Sequence, residues 1–357
     1  MNWKLDYHQT PLLLIWEITR ACALTCQHCR ASAIDWRDPG ELSTAEGRKL
    51  IDDVAAMGTP LIVFTGGDPL QRDDLEDLIR HARSRQLTVG TIPAATPRLT
   101  RDRVLSLRDA GVHQLALSVD AENAAKHDAF RGMPGTFAKV LEAAAWIREA
   151  GVNLQANTVF GSWNAADFDA VAAFVESLGV VFWEVFFLVP TGRGAELQGC
   201  TAAQFEQLFE RIYQLSKRAP FVIKVTEGQH LRRYVAQRSE TEPEAAQWKG
   251  KLMLSGKPVN SGHGFCFVDH LGNVCPSGFL PLECGNVREK SVIEIYRNHP
   301  VFRELRQFER LKGKCGLCEY RDACSGGSRA RAFAVAGDYL AEEPACAYQP
   351  HAAAAPA

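Results

Sequence analysis

The chain has 357 residues, 46% of them apolar and 23% charged, with a formal charge of −2. That length predicts two or three domains with an ample core, and the near-neutral charge gives no electrostatic case for nucleic acid or an anionic membrane surface. No apolar run approaches the ~20 residues of a membrane span. The N-terminal MNWKLDYHQT lacks the basic start and apolar run of a signal peptide, so the eleven cysteines read as metal ligands in a reducing cytoplasm rather than as disulfides.

Along the chain, short apolar runs alternate with amphipathic stretches. Strands are expected at 12–19, 61–65, 87–92, 114–119, 153–159 and 182–189, with helical patterns at 44–57, 73–85, 101–110, 136–150 and 165–178. Such alternation implies βαβ units and a parallel sheet. Six strands are too few for an eight-stranded barrel. The expected fold is therefore α/β, a partial (β/α)6 TIM-like barrel over residues 11–226 with its chemistry at the C-terminal strand ends. A doubly wound open sheet is the competing architecture. After a helix near 202–216, residues 227–262 form a charged connector of weak periodicity, read as a linker or a mobile cover. Residues 263–350 form a small cysteine-rich domain and 351–357 a biased tail.

Cys22, Cys26 and Cys29 stand at C-x3-C-x2-C spacing just past the first strand. A structural zinc site wants four closed ligands, whereas a [4Fe–4S] cluster on three cysteines keeps one iron open. Gly66, Gly67, Asp68 and Pro69 close the second strand. An isolated Gly-Gly is a turn, yet on the same rim as the cysteine loop its backbone groups can bind an amino-acid head group. Ser118 ends the fourth strand and Arg131 follows in HDAFRG, where the plain alternatives are a strand-end turn and a surface salt bridge. Cys315, Cys318, Cys324 and Cys346 make a four-thiolate set, suited to zinc or to a fully ligated cluster. Cys266, Cys275 and Cys284 are irregularly spaced and read either as an open-site cluster or as small buried apolar residues. Cys200 stands alone and reads as structural.

Together these motifs resemble the radical S-adenosylmethionine (SAM) superfamily with a C-terminal SPASM-type extension, over about residues 11–348. Thr19-Arg-Ala-Cys22 and His28-Cys-Arg-Ala-Ser-Ala33 are similar to the maturases of d1 haem and of the alternative haem pathway. The pyrroloquinoline-quinone and mycofactocin peptide maturases share the same two-domain plan. The resemblance implies that Cys22, Cys26 and Cys29 hold a [4Fe–4S] cluster whose free iron chelates SAM. His28, usually an aromatic residue in the family, then lies near the adenine. Gly66, Gly67, Asp68 and Pro69 stand for a Gly-Gly-Glu-Pro motif at the SAM amino group, with Ser118 and Arg131 at its carboxylate or ribose. Asn157 and Thr158 are weaker candidates, and Pro190-Thr-Gly-Arg193-Gly resembles the segment lining the adenine. Cys315, Cys318, Cys324 and Cys346 then hold an auxiliary [4Fe–4S] cluster, and Ser328 stands where fuller SPASM chains carry a further cysteine. The implied activity is reductive SAM cleavage to a 5′-deoxyadenosyl radical that oxidatively modifies a cofactor precursor such as a tetrapyrrole. A ribosomal precursor peptide is the alternative substrate, and a low-potential donor such as flavodoxin or ferredoxin the implied partner. A non-enzymatic electron carrier or zinc scaffold is the remaining possibility, one the glycine motif argues against.

Overall fold

The computed structural model describes residues 4–242, 251–254 and 256–351. One nine-stranded sheet dominates it. Its strands are β1 (Leu13–Glu17), β2 (Leu61–Thr65), β3 (Thr88–Thr91), β4 (Gln114–Ser118), β5 (Asn153–Phe160), β6 (Phe182–Phe187), β7 (Val222–Thr226), β8 (Phe265–Val268) and β9 (Val274–Cys275). Helices α1 (Thr44–Ala56), α2 (Leu75–Ser84), α3 (Arg101–Ala110), α4 (Ala124–Arg131), α5 (Thr136–Glu149), α6 (Phe168–Ser177), α7 (Ala202–Ser216) and α8 (Leu231–Thr241) fill the crossovers and flank the barrel. The spatial order is β7-β6-β5-β4-β3-β2-β1-β8-β9. From β1 to β7 each strand lies parallel beside its predecessor. A doubly wound sheet reverses its strand order at a switch point; this one never does, which leaves the partial barrel.

Side chains alternate across each strand, and the two faces differ. Ile62 and Phe64 on β2, and Trp183, Val185 and Phe187 on β6, are buried in one core with the helices. Their neighbours Val63, Thr65, Phe182, Glu184 and Phe186 face the lumen and stay partly exposed. A complete (β/α)8 barrel packs its interior with side chains; here the lumen is left open, and one wall of it is polar. Glu184 accepts from Gln155 of β5 and from Lys224 and Thr226 of β7.

All six expected strands form. β7 is an addition, because VIKVT is short and its lumen-facing lysine masks the apolar alternation. The connector expected at 227–262 opens with α8, whose charged residues are used in pairs: Arg233 with Glu206, and Arg238 with Glu210 and Glu242. The RSETEPEAAQWKGK stretch of that connector falls mainly at 243–250, outside the described residues. The cysteine-rich region also reaches into the barrel, since β8 pairs parallel with β1 and β9 pairs antiparallel with β8. Val189, just past β6, packs with Leu280, Leu305 and Ala330, so the C-terminal segment bridges the two ends of the curled sheet.

Candidate active site

The loop after β1 carries Cys22, Cys26 and Cys29 into one small apolar cluster with Leu24, Ala33, Ala94 and Met133. Backbone N–H groups already point at two of the sulfurs, Leu24 at Cys22 (3.3 Å) and Ala33 at Cys29 (3.4 Å). Such bonds favour thiolate over thiol. Without a metal, burial pushes the Cys22 thiol up to about 12.

Two neighbouring loops hold this loop by direct backbone packing. Gly67 sits against the carbonyls of Arg20 and Ala21, and a Cβ there would overlap both. Its N–H donates to the Thr19 carbonyl (2.8 Å), and the Asp68 N–H to that of Ala21 (2.7 Å). The Gly-Gly pair thus belongs to the cysteine loop's own seating. On the other side, Gly192 (φ +56°) lies against the carbonyls of Cys29 and Arg30. Arg193 donates through Nε to the Cys26 carbonyl (2.9 Å) and through its N–H to that of Cys29 (3.0 Å). The segment offered by resemblance as an adenine wall thus braces the cysteine loop.

Asp68 is fully buried, and its oxygens accept from the N–H groups of Leu70 (3.1 Å) and Ala94 (3.2 Å) and from the Thr96 hydroxyl (3.0 Å). It ties the β2 loop to the β3 loop, and Pro69 starts a short 3₁₀ turn beside it. Arg131 ends α4 and pairs with buried Asp120; its Nη1 stands 3.7 Å from the Cys26 sulfur. Burial alone pushes the Asp120 carboxyl up, but the Arg131 guanidinium overrides this and holds it below the usual carboxylate range. This is a buried ion pair aimed at the Cys26 sulfur, rather than the surface salt bridge weighed from sequence. His28 stacks on Phe130 with centroids 4.6 Å apart, and Phe130 stacks on Trp163. Ser118 ends β4 on the lumen side and, in register with Asn157, marks the layer of Glu184 and Lys224. Thr158 points the other way, its hydroxyl donating to the Val119 carbonyl (2.6 Å) and accepting from the Trp183 indole (2.9 Å).

The donor set fits an iron–sulfur cluster. Three soft sulfurs share one small apolar cluster, a cation and N–H groups face them, and the buried His28 Nδ1 and Arg193 Nη2 have no partner among the described residues. Nor, among those residues, do three cysteine, histidine or acidic side chains converge as one metal ion requires. A cubane binds each thiolate at a separate iron and does not need that convergence.

Cys315, Cys318, Cys324 and Cys346 meet around one pocket with His230, Arg233, Lys314 and Arg321 on its walls. Burial pushes the Cys324 thiol up to about 12 and the His230 imidazole down to about 3. Beneath this pocket a polar core joins it to the barrel. Arg331 pairs with Glu343 and donates to the carbonyls of Leu188 and Glu227, and the Ser328 hydroxyl donates to Glu227. Ser328 is thus committed to the barrel rim. Cys275 lies opposite Phe267 in the β8–β9 ladder, so Cys266 and Cys275 point to opposite faces. Cys200 is half-buried against the main core. Sequence reasoning missed His230, Glu227, Glu343, and the pairing of Arg30 with Glu17 inside the lumen. Each is an isolated polar residue without local periodicity. The one available signal was Arg30 itself, directly after the third cysteine.

Comparison with known proteins supplies the remaining observation. The family model described as the Radical SAM superfamily matches residues 16–175. The chain is 41% identical over 342 residues to the AdoMet-dependent heme synthase of Oleidesulfovibrio alaskensis, covering 95% of this chain and 87% of that protein. To the Fe-coproporphyrin III synthase of Methanosarcina barkeri it is 29% identical over 354 residues, covering 94% and 87%. Streptococcus suis SuiB bound to S-adenosylmethionine has the same fold at a TM-score of 0.74 and 15% identity, covering 95% of this chain and 78% of that one.

Proposed function

The chain belongs to the radical SAM superfamily, and on that premise we propose that it oxidatively modifies the propionate side chains of a tetrapyrrole haem precursor. The observation that carries this is the near-full-length 41% identity to an AdoMet-dependent heme synthase. The open lumen with its polar wall supports it.

When bound, a [4Fe–4S] cluster and SAM supply the one-electron cleavage that yields a 5′-deoxyadenosyl radical. Cys22, Cys26 and Cys29 would hold that cluster through three thiolates, a set that would leave one iron for SAM. Arg131, already charged against Asp120, offsets thiolate charge at Cys26. The Gly66-Gly67 and Gly192-Arg193 backbones fix the loop, so that SAM meets a site assembled in advance. Ser118, Asn157 and His28 lie around its mouth as SAM contacts. The lumen orients the substrate, with Glu184 and Lys224 on its polar wall and Phe186, two residues further along β6, packed against Phe279. Cys315, Cys318, Cys324 and Cys346 would hold an auxiliary [4Fe–4S] cluster, which would supply an electron acceptor for the oxidation. Low-potential electrons enter from a flavodoxin or ferredoxin.

The test is anaerobic reconstitution followed by incubation with SAM, dithionite and iron coproporphyrin III. Each modified propionate is expected to lose carbon dioxide and two hydrogens as 5′-deoxyadenosine accumulates. SAM cleavage with an unchanged porphyrin overturns the substrate, and modification of a precursor peptide instead would establish the alternative.

A further inference from the structure

His230 is 1% exposed, lies directly before α8, and forms part of the wall of the four-thiol pocket. The rings of Phe205 and Phe209 flank it, each with its centroid 4.8 Å away. Neither Nδ1 nor Nε2 has a hydrogen-bond partner among the described residues. A neutral imidazole always carries one N–H, and leaving that donor unpaired in an interior costs about 1–3 kcal/mol.

The surrounding groups narrow the choice of acceptor. Arg233, Lys314 and Arg321 are donors only. The Glu343 carboxylate is occupied, accepting from the N–H groups of Ser328 (2.6 Å) and Ala345 (2.9 Å) and pairing with Arg331 (3.0 Å). The Tyr348 hydroxyl sits at an exposed contact, where it donates to Glu319. Phenylalanine rings offer nothing comparable. Among the side chains that line the pocket, the cysteine sulfurs are the remaining candidate acceptors.

We propose that His230 donates an N–H···S hydrogen bond to the cluster held by Cys315, Cys318, Cys324 and Cys346, and that this bond raises the cluster's reduction potential. The inference rests on the proposal that those four thiols hold a cluster. Reduction adds one negative charge to a group already surrounded by thiolates. A donor fixed in a low-dielectric wall stabilises the more negative state more strongly than the less negative one. The nearby cations act in the same direction but are partly tied elsewhere, Arg233 by Glu206 and Lys314 by the Cys346 carbonyl (2.5 Å). The aromatic flanks keep water from competing for the bond. This environment favours electron acceptance, the role the oxidative reaction asks of this site.

The experiment uses full-length protein with Cys22, Cys26 and Cys29 changed to Ala, so that the auxiliary signal stands alone in a potentiometric titration followed by electron paramagnetic resonance. In that background His230→Phe is expected to keep its iron and shift the midpoint to lower potential, while His230→Gln, which retains an N–H, stays near the parent. An unchanged midpoint in an iron-replete Phe variant overturns the inference. If the Phe variant loses iron, His230→Gln decides: a parental midpoint supports the hydrogen bond, and loss of its iron as well overturns it in favour of packing. A parent that binds no iron at all removes the auxiliary cluster itself, and the inference with it, a failure distinct from that of the histidine bond.

Discussion

Arg131 and Asp120 show how one buried pair serves both stability and the site. Removing one partner of such a pair costs on the order of 3–5 kcal/mol, because the other is left charged without compensation. Asp120→Asn should therefore lower the thermal midpoint strongly, and the free guanidinium should draw toward Cys26, 3.7 Å from it. Coupling Asp120→Asn with Arg131→Met should recover much of the stability yet retain less iron, because no cation then faces Cys26. Iron per chain and the thermal midpoint, measured on the same preparations, check both halves. Recovery of iron in the double variant would show that Arg131 serves packing alone. The pair was half legible in sequence: Arg131 drew notice, but which charge faced it depended on how α4 packs under β4.

Between elements, the cysteine loop is held by glycine on two sides. At Gly67 the obstacle to a side chain is the backbone of Arg20 and Ala21, which cannot swing aside as a flexible side chain can. Gly67→Ala should leave far-ultraviolet circular dichroism unchanged yet displace the loop. The expected outcome is loss of about half the reconstituted iron, the auxiliary set at Cys315–Cys346 remaining loaded. Ala at Gly199, whose backbone is not left-handed and where an added Cβ would meet only the Leu188 carbonyl at 3.9 Å, serves as the matched control. A Gly67→Ala variant with full iron and normal SAM cleavage would refute the account of the close approach.

At the scale of the whole molecule, His263 ties the chain's distant parts together. Its ring packs edge-on against Tyr7 and against Phe308, each at 5.0 Å, and its Nδ1 donates to the Pro258 carbonyl (2.6 Å). Burial pushes its pKa down from 6.5 to about 4. Between those values the unfolded chain binds the proton more readily, so folding stability rises with pH. The contribution is fully present above about pH 6.5 and is lost as pH falls toward 4. It amounts to on the order of 3 kcal/mol. His263→Phe keeps the ring contacts and removes the proton. The difference in thermal midpoint between wild type and variant should then change across pH 4–6.5, moving in the variant's favour at the acid end. A difference that stays flat over that window would mean that His263 does not titrate there.

What the sequence by itself determined is local in origin. Three cysteines within eight residues fix a loop whatever the rest of the chain does. The alternation of apolar runs determined six parallel strands, because each strand's outer face must bury against its own crossover helix. Tertiary structure decided the rest. It placed β8 on the free edge of β1, added the short β7 whose lysine faces the lumen, and engaged the Asp68 carboxylate between two loops. It also set His230 against a pocket built mostly by residues more than eighty positions away. An edge strand is chosen by whichever backbone lies within hydrogen-bonding distance. A buried polar side chain acquires its role from partners remote in sequence, and periodicity carries no record of them.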